Sequence, residues 1–403
     1  MHTPSATRDL DRADPLAAYR GRFVGAESAL VYFDGNSLGR PLRATAERVG
    51  TFVAQEWGGR LIRGWDERWY DQPLVLGDEI GRVCLGAGPG QTFVGDSTTV
   101  LLYKLVRAGL GGADRGRDEI VVDTDNFPTD RYVVEGVAGE LGLTVRWVEV
   151  PTSAGITPDL LAPALSERTA LVVLSHVAYR SGWLADAQAL TRLVHDAGAL
   201  VLWDLCHSVG AVPMLLDDWC VDLAVGCTYK YLNGGPGSPA FGYVAAPHHG
   251  LRQPIQGWMG HRDPFAMGPG YEPADSVRRF ISGTPPITAM LAMTDMVALI
   301  DEVGIEAVRA KSLALTDHAV ALSDDLLSAY GVVVASPREH EHRGGHITLL
   351  HDDMREVVAA LWERDVLPDY RDPGGLRIGL SPLSTSFAEV ETGMRAIAEE
   401  LKR

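Results

Sequence analysis

The segments ALVVLS (170–175), AQALTRLVHDAG (187–198) and ALVLWD (199–204) decide the fold of this chain. The first and third are short and apolar, as buried strands are, and the second has apolar residues at helical spacing and is stopped by Gly198. The order of strand, helix and strand predicts two parallel strands that are joined by a crossover helix.

Two more apolar runs, EIVVD (119–123) and VDLAVG (221–226), extend the predicted sheet. Such runs alternate with amphipathic stretches through the middle of the chain, which is typical of a sheet with helices on its faces. Polar residues follow directly after these strands, and ligand sites of open α/β sheets lie at the carboxyl ends of the strands. The sequence therefore predicts an α/β fold with a ligand site at that edge.

The pattern changes near Pro286, after which longer helical patterns are mixed with the strand-like runs GVVVAS, GHITLL and LRIGL. These runs predict a smaller α+β unit, and FAEVETGMRAIAEELKR at the end predicts a terminal helix. We expect disorder only in the first dozen residues or so. The chain is thus divided into an N-terminal segment 1–50 that packs with the small domain, a large domain 51–286 and a small domain 287–403.

Composition and charge argue against several classes of partner. The chain has 403 residues, and its 53 acidic residues exceed the 36 basic ones, giving a formal charge of −17. Such a charge repels nucleic acids and anionic lipids, so neither nucleic acid nor membrane is expected as a partner. The first residues contain no continuous apolar region, which argues against a signal peptide, and the longest apolar runs are too short for a membrane helix.

The four cysteines of the chain, listed below, form no CxxC pair and are too few for a disulfide framework. We therefore expect reduced thiols in a cytoplasmic protein, and we assign no metal site. The cysteines are Cys84, Cys206, Cys220 and Cys227.

The segment GCTYKYLNGGPG (226–237) carries the strongest chemical signal. A strand ends there on small and polar residues, presents Lys230 and enters a glycine-rich loop. A buried ammonium needs a partner, and imine formation with an aldehyde cofactor would remove its charge. For an isolated TYK, a lysine that extends to solvent from a strand end would be an equally good interpretation.

Asp204 closes the strand ALVLWD and is followed shortly by His207. An acid that leaves a strand is often only a helix cap. Pyridoxal phosphate (PLP), however, needs a carboxylate against its ring nitrogen, because the protonated ring is the electron sink that stabilises substrate carbanions. Asp204 and Lys230 together supply both requirements and predict PLP. His207 either orients Asp204 or contacts the cofactor itself.

A phosphate also needs a cradle, and DSTTVLLYKL from Asp96 places hydroxyl groups where a helix begins. Thr98 and Thr99 are the predicted phosphate ligands, although the same pair alone would be an ordinary N-cap. FPTD (127–130) places an aromatic ring beside a carboxylate, and Phe127 is predicted to face the cofactor ring unless it is simple core.

The chain resembles the kynureninase family of PLP enzymes along most of its length. The motifs stand in family order and spacing and are specific together, whereas DGNSLG or LRIG alone would not be. The resemblance implies the PLP-dependent transferase fold type I, with a mostly parallel seven-stranded sheet in the large domain and a smaller α+β domain at the C-terminus. The matching segments are YFDGNSLG from Tyr32, STTV from Ser97, NFPTDRY from Asn126, SHVAYRSG from Ser175, WDLCHSVGAVP from Trp203, GCTYKYLNGGPG from Gly226, GWMGH from Gly257, ISGTPPI from Ile281 and LRIG from Leu376.

The resemblance also implies roles for individual residues. Lys230 is the Schiff-base lysine, Phe127 stacks on the cofactor and Asp204 pairs with the pyridine nitrogen. Trp258 and Thr284 reach the phosphate across a subunit interface, which implies a homodimer with shared active sites. Further implied cofactor ligands are Thr98, Thr99, Thr129, Asp130, Ser175, His207 and Tyr229.

The implied reaction is hydrolysis of the Cβ–Cγ bond of kynurenine to anthranilate and alanine in tryptophan catabolism. Lys230 removes the α-proton, Asp204 holds the protonated pyridine, and Tyr229 carries a proton. Arg377 takes the substrate α-carboxylate, since a guanidinium forks onto a carboxylate in two hydrogen bonds. Without the resemblance, Arg377 would be interpreted as a strand arginine with a surface partner. The other implied substrate contacts are Trp65, Asn36 and Gly283.

Trp65 and the pair Gly283–Thr284 resemble bacterial members, which prefer unsubstituted kynurenine over the 3-hydroxylated substrate. Ser384 departs from the family, which usually has tyrosine there, so a ring-substituted kynurenine is also compatible. An aminotransferase uses a Schiff-base lysine in the same way and stays an alternative. A cysteine desulfurase needs a nucleophilic cysteine late in the chain, and the last one is Cys227. A catalytically silent PLP-fold protein would usually have lost Lys230 or Asp204.

Overall fold

The computed structural model describes residues 4–114 and 116–403. The helices are α1 (Pro4–Ala13), α2 (Arg43–Thr51), α3 (Gly58–Arg60), α4 (Gln72–Ile80), α5 (Thr98–Gly112), α6 (Pro128–Leu141), α7 (Pro158–Leu161), α8 (Ala187–Asp196), α9 (Ile287–Val303), α10 (Ile305–Leu326), α11 (Met354–Trp362) and α12 (Phe387–Leu401). The strands are β1 (Val31–Tyr32), β2 (Thr92–Gly95), β3 (Glu119–Asp123), β4 (Thr144–Val148), β5 (Thr169–Ser175), β6 (Leu200–Asp204), β7 (Leu223–Gly226), β8 (Ala240–Val244), β9 (Val333–Val334), β10 (His346–Leu350), β11 (Val366–Leu367), β12 (Asp369–Arg371) and β13 (Gly375–Gly379).

A seven-stranded sheet in the order β2-β8-β7-β6-β5-β3-β4 forms the centre of the large domain. Strands β4, β3, β5, β6 and β7 pair in parallel, and β8 runs antiparallel to both of its neighbours. The predicted mostly parallel seven-stranded sheet is therefore confirmed. The predicted unit of strand, crossover helix and strand is present as β5, α8 and β6.

Helices cover both faces of this sheet because successive strand residues point to opposite sides. Leu171 and Val173 of β5 pack in one core with residues of α5 and α6. Val172 and Leu174 pack in a second core that contains residues of α8. A sheet that is buried on both faces leaves only its strand ends open to a ligand, and this places the site at the carboxyl edge.

A four-stranded antiparallel sheet, in the order β12-β13-β10-β9, forms the smaller unit together with α10, α11 and α12. This arrangement confirms the predicted α+β unit at the C-terminus. β1 pairs in parallel with β11, and Val31 and Phe33 lie in the same core. The division at residue 286 stays a prediction, and α9 packs in the core of the large sheet rather than in that of the small one.

Helix α1 shows that the expectation of disorder over the first dozen residues was wrong for residues 4–13. The Asp11 carboxylate accepts hydrogen bonds from the backbone N–H groups of Phe387 and Ala388 at 2.8 and 3.1 Å. These are free N–H groups of the first turn of α12, so the acid caps a helix that is distant in sequence. Among the described residues, no helix combines the length and the apolar character needed to cross a membrane.

Candidate active site

The carboxyl ends of β5, β6 and β7 bring the principal predicted residues together. Ser175 and Asp204 are register partners at the ends of β5 and β6, and Lys230 follows β7 after a short loop. The Ser175 hydroxyl donates a hydrogen bond to the Asn126 side-chain oxygen at 2.7 Å. Adjacent parallel strands therefore collect at one edge the residues that lie far apart in sequence.

Lys230 is only 7% exposed, and its neighbours are those that the sequence predicted. Its Nζ lies 3.2 Å from Nε2 of His207 and 5.8 Å from the centroid of the Phe127 ring. Burial, followed by the nearby Lys230 charge, lowers the pKa of His207 well below its usual range. The neutral imidazole can therefore accept a hydrogen bond from the ammonium. The Phe127 ring is fixed edge-on against Tyr179, with the centroids 5.3 Å apart.

Asp204 and Asp130 form a buried acidic pair, with exposures of 6% and 2%. Burial, together with the charge of Asp204 and a hydrogen bond between the two groups, raises the pKa of Asp130 well above its usual range. The raised pKa favours the protonated form of Asp130 beside Asp204. Asp204 accepts a hydrogen bond from the Cys206 backbone N–H at 2.7 Å.

A cavity of about 440 Å³ adjoins this cluster. Thr98 lies on its wall at the amino end of α5, where free N–H groups and the helix dipole favour an anion. Thr99 is exposed and is not a lining residue. Tyr229, Gly283 and Thr284 of the same chain also line the cavity. The full lining comprises Gly95, Asp96, Ser97, Thr98, Tyr229, Gly237, Ser238, Pro239, Ile281, Ser282, Gly283, Thr284, Pro285 and Pro286.

Arg377 on β13 is 1% exposed, so it is not a surface arginine. Its Nε and Nη2 donate to Asp369, its Nη1 donates to the Tyr179 carbonyl at 2.7 Å, and Nη2 donates to the Ser37 hydroxyl at 3.0 Å. These contacts occupy four of its five N–H groups and fix the plane of the guanidinium.

Asn36 is fully buried, and its side-chain N and O atoms have no hydrogen-bond partner in the part of the chain that the structure describes. It lies against Gly379, where an added Cβ would come within 1.8 Å of the Asn36 oxygen. The chain turn from Asp34 to Ser37 thus packs on the end of β13, which connects two motifs that are distant in sequence. An unpaired buried amide is available to a polar ligand.

The two predicted tryptophans, Trp65 and Trp258, pack against other aromatic side chains of the same chain. Trp65 is half-buried and packs edge-on against Trp69, with ring centroids 5.7 Å apart. Trp258 is 38% exposed, and its ring contacts Phe265. Thr129, in the first turn of α6, is half-buried. The described contacts therefore bring together the residues around Lys230 and the cavity, with the tryptophans apart from them.

The arrangement fits PLP. It offers a buried amine at Lys230, a carboxyl group at Asp204, an aromatic face at Phe127 and a helix amino end at Thr98 beside a cavity. These are the four partners that the cofactor requires for its aldehyde, ring nitrogen, ring face and phosphate. Among the residues that the structure describes, no group of three His, Cys, Asp or Glu side chains is arranged to hold a metal ion.

Comparison with known proteins identifies the family. The chain is 42% identical over 411 residues to a kynureninase of Pseudomonas fluorescens, which covers 100% of this chain and 96% of the relative. A kynureninase of Burkholderia pseudomallei is 40% identical over 408 residues, with the same coverage of 100% and 96%. The chain belongs to the kynureninase family. In addition, residues 308–397 match the kynureninase C-terminal domain.

Solved structures place this kynureninase-family chain in a wider group of the same fold. A C-DES mutant with glycine covalently linked to the PLP cofactor superposes with a TM-score of 0.82 at 19% identity, covering 94% of this chain and 99% of that one. The apo cysteine desulfurase of Thermococcus onnurineus NA1 gives a TM-score of 0.79 at 18% identity and covers 100% and 99%. At such identities these structures show the fold alone.

Two residues near the kynureninase-family motifs were missed by sequence reasoning. The His346 ring lies 5.5 Å from that of His207, and burial lowers its pKa to about 3. Asp369 is the carboxylate partner of Arg377. A polar residue in the apolar run HITLL was a usable signal for His346. Asp369 had no such signal, because its contact depends on the pairing of β12 with β13.

Proposed function

We propose that this chain is a PLP-dependent enzyme that hydrolyses the Cβ–Cγ bond of L-kynurenine to anthranilate and L-alanine, as in tryptophan catabolism. Family membership over the whole chain supports the reaction. The observation that carries the proposal is the position of the Lys230 amine among His207, Phe127 and Tyr229, beside the cavity that Tyr229 and Thr98 line.

PLP, when bound, supplies an electrophilic carbon for amines and a ring that accepts electrons from the substrate Cα. Lys230 would hold its aldehyde end and Asp204 its ring nitrogen. Thr98 and the amino end of α5 would hold its phosphate. Asp130 would contribute indirectly, because its raised pKa favours a protonated acid beside Asp204.

Lys230 is the group that moves the substrate α-proton. His207 is neutral and within 3.2 Å, so it can orient the amine without competing for a proton near neutral pH. Burial raises the pKa of Tyr229, so its hydroxyl stays protonated and serves as the proton donor at the substrate Cβ. Lys230 and His207 are buried, which keeps bulk water from these two groups, whereas Tyr229 lines the cavity.

The substrate end of the site is proposed to be formed by Arg377 and Asn36. Arg377 offers its one remaining Nη1 N–H to the α-carboxylate. Asn36 offers its unpaired amide to a polar group of the substrate. We propose Trp65 and the pair Gly283–Thr284 for the aryl end, where an indole without a second ring nitrogen favours an unsubstituted aryl group. A preference of about tenfold for L-kynurenine over the 3-hydroxylated substrate is expected, since an apolar pocket rejects a hydroxyl poorly.

We further propose a cytoplasmic homodimer in which Trp258 contributes to the site of the partner subunit. Trp258, Phe265 and Met267 expose 38, 58 and 75% of their surfaces, and such apolar side chains on one loop are typical of an interface. The test is to mix the inactive variants Lys230→Ala and Trp258→Ala after mild dissociation. A shared site restores activity through hybrid dimers that hold one intact site, whereas unrestored activity in confirmed hybrids contradicts sharing.

The reaction is tested by incubating the protein and PLP with L-kynurenine or 3-hydroxykynurenine. Release of aryl amine and alanine in equal amounts, abolished in Lys230→Ala, is the expected result. Lack of release from both substrates rejects the proposal. Formation of a keto acid would indicate an aminotransferase, and sulfide from cysteine a desulfurase. The latter is disfavoured because Cys227 is buried against Cys206.

A further inference from the structure

Helix α5 carries a lysine that the proposed reaction does not use. Lys104 lies in the apolar run VLLYKLV and is 0% exposed. Its Nζ donates to the Asp96 carboxylate and, at 2.8 Å, to the Phe280 carbonyl oxygen. An ammonium without exposure is costly unless it is paired, so a position of this kind needs an explanation beyond packing.

Both partners of Lys104 lead to the wall of the cavity beside Tyr229. Asp96 lines the cavity directly, and Thr98 begins α5 two residues later. Phe280 immediately precedes the segment 281–286, every residue of which lines the same cavity. A single ammonium therefore joins two separate segments of the wall.

The contact between Lys104 and Asp96 also affects the charge of the cavity wall. Its side chain is 30% exposed and faces a cavity in which a phosphate is proposed to bind. The backbone of Asp96 is left-handed, with φ 47°, and its carbonyl accepts a hydrogen bond from the Ala240 N–H at 3.0 Å, so the residue is fixed in this position. An unpaired carboxylate there would repel an anionic ligand.

We propose that Lys104 is a positioning residue for the phosphate end of the cofactor. Its ammonium cancels the negative charge of Asp96 and holds the Phe280 carbonyl, so that the cavity between these segments accepts a dianion. This inference deepens the proposed function, because it takes the phosphate to be that of PLP.

The test compares two ligands that differ only in the phosphate, PLP and pyridoxal. Each is titrated into the full-length apoprotein, and binding is followed by its visible absorbance. Lys104→Met should weaken PLP binding about 10- to 100-fold, the loss expected when a close charge partner is removed. Pyridoxal binding should change less than about threefold. The double variant with Asp96→Asn should regain at least about tenfold in PLP affinity, since it removes the unpaired charge.

Equal losses for PLP and pyridoxal, unchanged PLP affinity, or lack of recovery in the double variant would overturn the proposal. Should Lys104→Met fail to fold, Asp96→Asn alone decides the matter, because it should tighten PLP binding relative to pyridoxal and not weaken it. The assay contains no kynurenine, so a failure of the proposed reaction would be seen separately.

Lys311 provides a matched control. Its ammonium is also buried and pairs with Asp14, with side-chain exposures of 6% and 3%, and neither residue lines the cavity beside Tyr229. Lys311→Met should lower stability as a buried pair does, yet leave the ratio of PLP to pyridoxal affinity unchanged. A change in that ratio as large as in Lys104→Met would show a general loss of packing and overturn the assignment.

Discussion

Asp130, in the first turn of α6, interacts electrostatically with Asp204 at the end of β6, and both side chains are buried. Burial and the Asp204 charge raise the pKa of Asp130 well above its usual range. Asp130 is therefore the member of the pair whose protonated form is favoured.

Because the protonated form of Asp130 is favoured, replacing Asp130 and Asp204 by asparagine should have different effects on activity. Asp130→Asn keeps a neutral donor and should lower kcat/KM for kynurenine less than about tenfold, whereas Asp204→Asn removes the charge and should lower it at least about 100-fold, or about 3 kcal/mol. Steady-state kinetics with circular dichroism as a folding check measure both. An Asp130→Asn variant as impaired as Asp204→Asn would mean that Asp130 is the charged member.

The substrate carboxylate provides the next prediction. Arg377→Lys loses the planar guanidinium that Asp369 and Ser37 hold in place and should raise KM for kynurenine about 10- to 100-fold, with kcat changed much less. Inhibition by an analogue that lacks the α-carboxylate should be unaffected. Arg355→Lys is the control, because Arg355 is an exposed arginine paired with Asp372. If the analogue binds Arg377→Lys as poorly as kynurenine does, Arg377 acts on the shape of the site instead.

The residues that sequence reasoning found share one property. Asp204 and Ser175 end predicted strands, and Lys230 follows such a strand, so the topology of a parallel sheet alone brings them to one edge. The same logic placed Thr98 at the start of a helix. Local sequence patterns were sufficient to predict these residues, because a parallel sheet places the carboxyl ends of adjacent strands side by side.

Residues whose partners depend on tertiary packing could not be found in this way. Asp369 meets Arg377 only through the antiparallel register of β12 and β13, and no local pattern specifies that pairing. Lys104 sits inside an apolar helix and finds its second partner, the Phe280 carbonyl, far along the chain. The sequence also did not predict that α1 is an ordered helix. Its Asp11 caps α12, which lies at the other end of the sequence.

Ser384, where the family resemblance predicts tyrosine, is buried, and its hydroxyl has no hydrogen-bond partner among the described residues. The adjoining cavity among Phe23, Tyr231 and Met296 holds only about 10 Å³, far less than an aromatic ring needs. Ser384→Tyr should therefore overpack and lower the free energy of unfolding by about 1–3 kcal/mol. Ser384→Ala removes the unpaired hydroxyl and should be neutral or stabilising by about 1 kcal/mol. Urea unfolding measures both, and a stabilising tyrosine would show that this wall rearranges easily.

Asp222 lies between His195 and His248, at 2.8 and 2.7 Å from their Nε2 atoms, and this cluster predicts a pH-dependent contribution to stability. The hydrogen bond that His195 donates to Asp222 raises the pKa of His195. Burial alone would raise the pKa of Asp222, but the hydrogen bonds from His195, His248 and the Val201 N–H lower it overall.

The signs of these shifts define the pH window. The His195 contribution is present below the unfolded histidine pKa of about 6.5 and is lost as the pH rises through the higher folded value. The Asp222 contribution is present above its unfolded pKa of about 3.9 and is lost as the pH falls through the lower folded value. Asp222→Asn should therefore destabilise the protein more at about pH 5.5 than at about pH 8.5, measured as the difference in unfolding free energy from wild type. Asp118→Asn, which breaks an exposed pair with Arg168 and no histidine, should show a difference that stays constant between these two pH values. A constant difference for Asp222→Asn as well would mean that His195 does not titrate against this carboxylate.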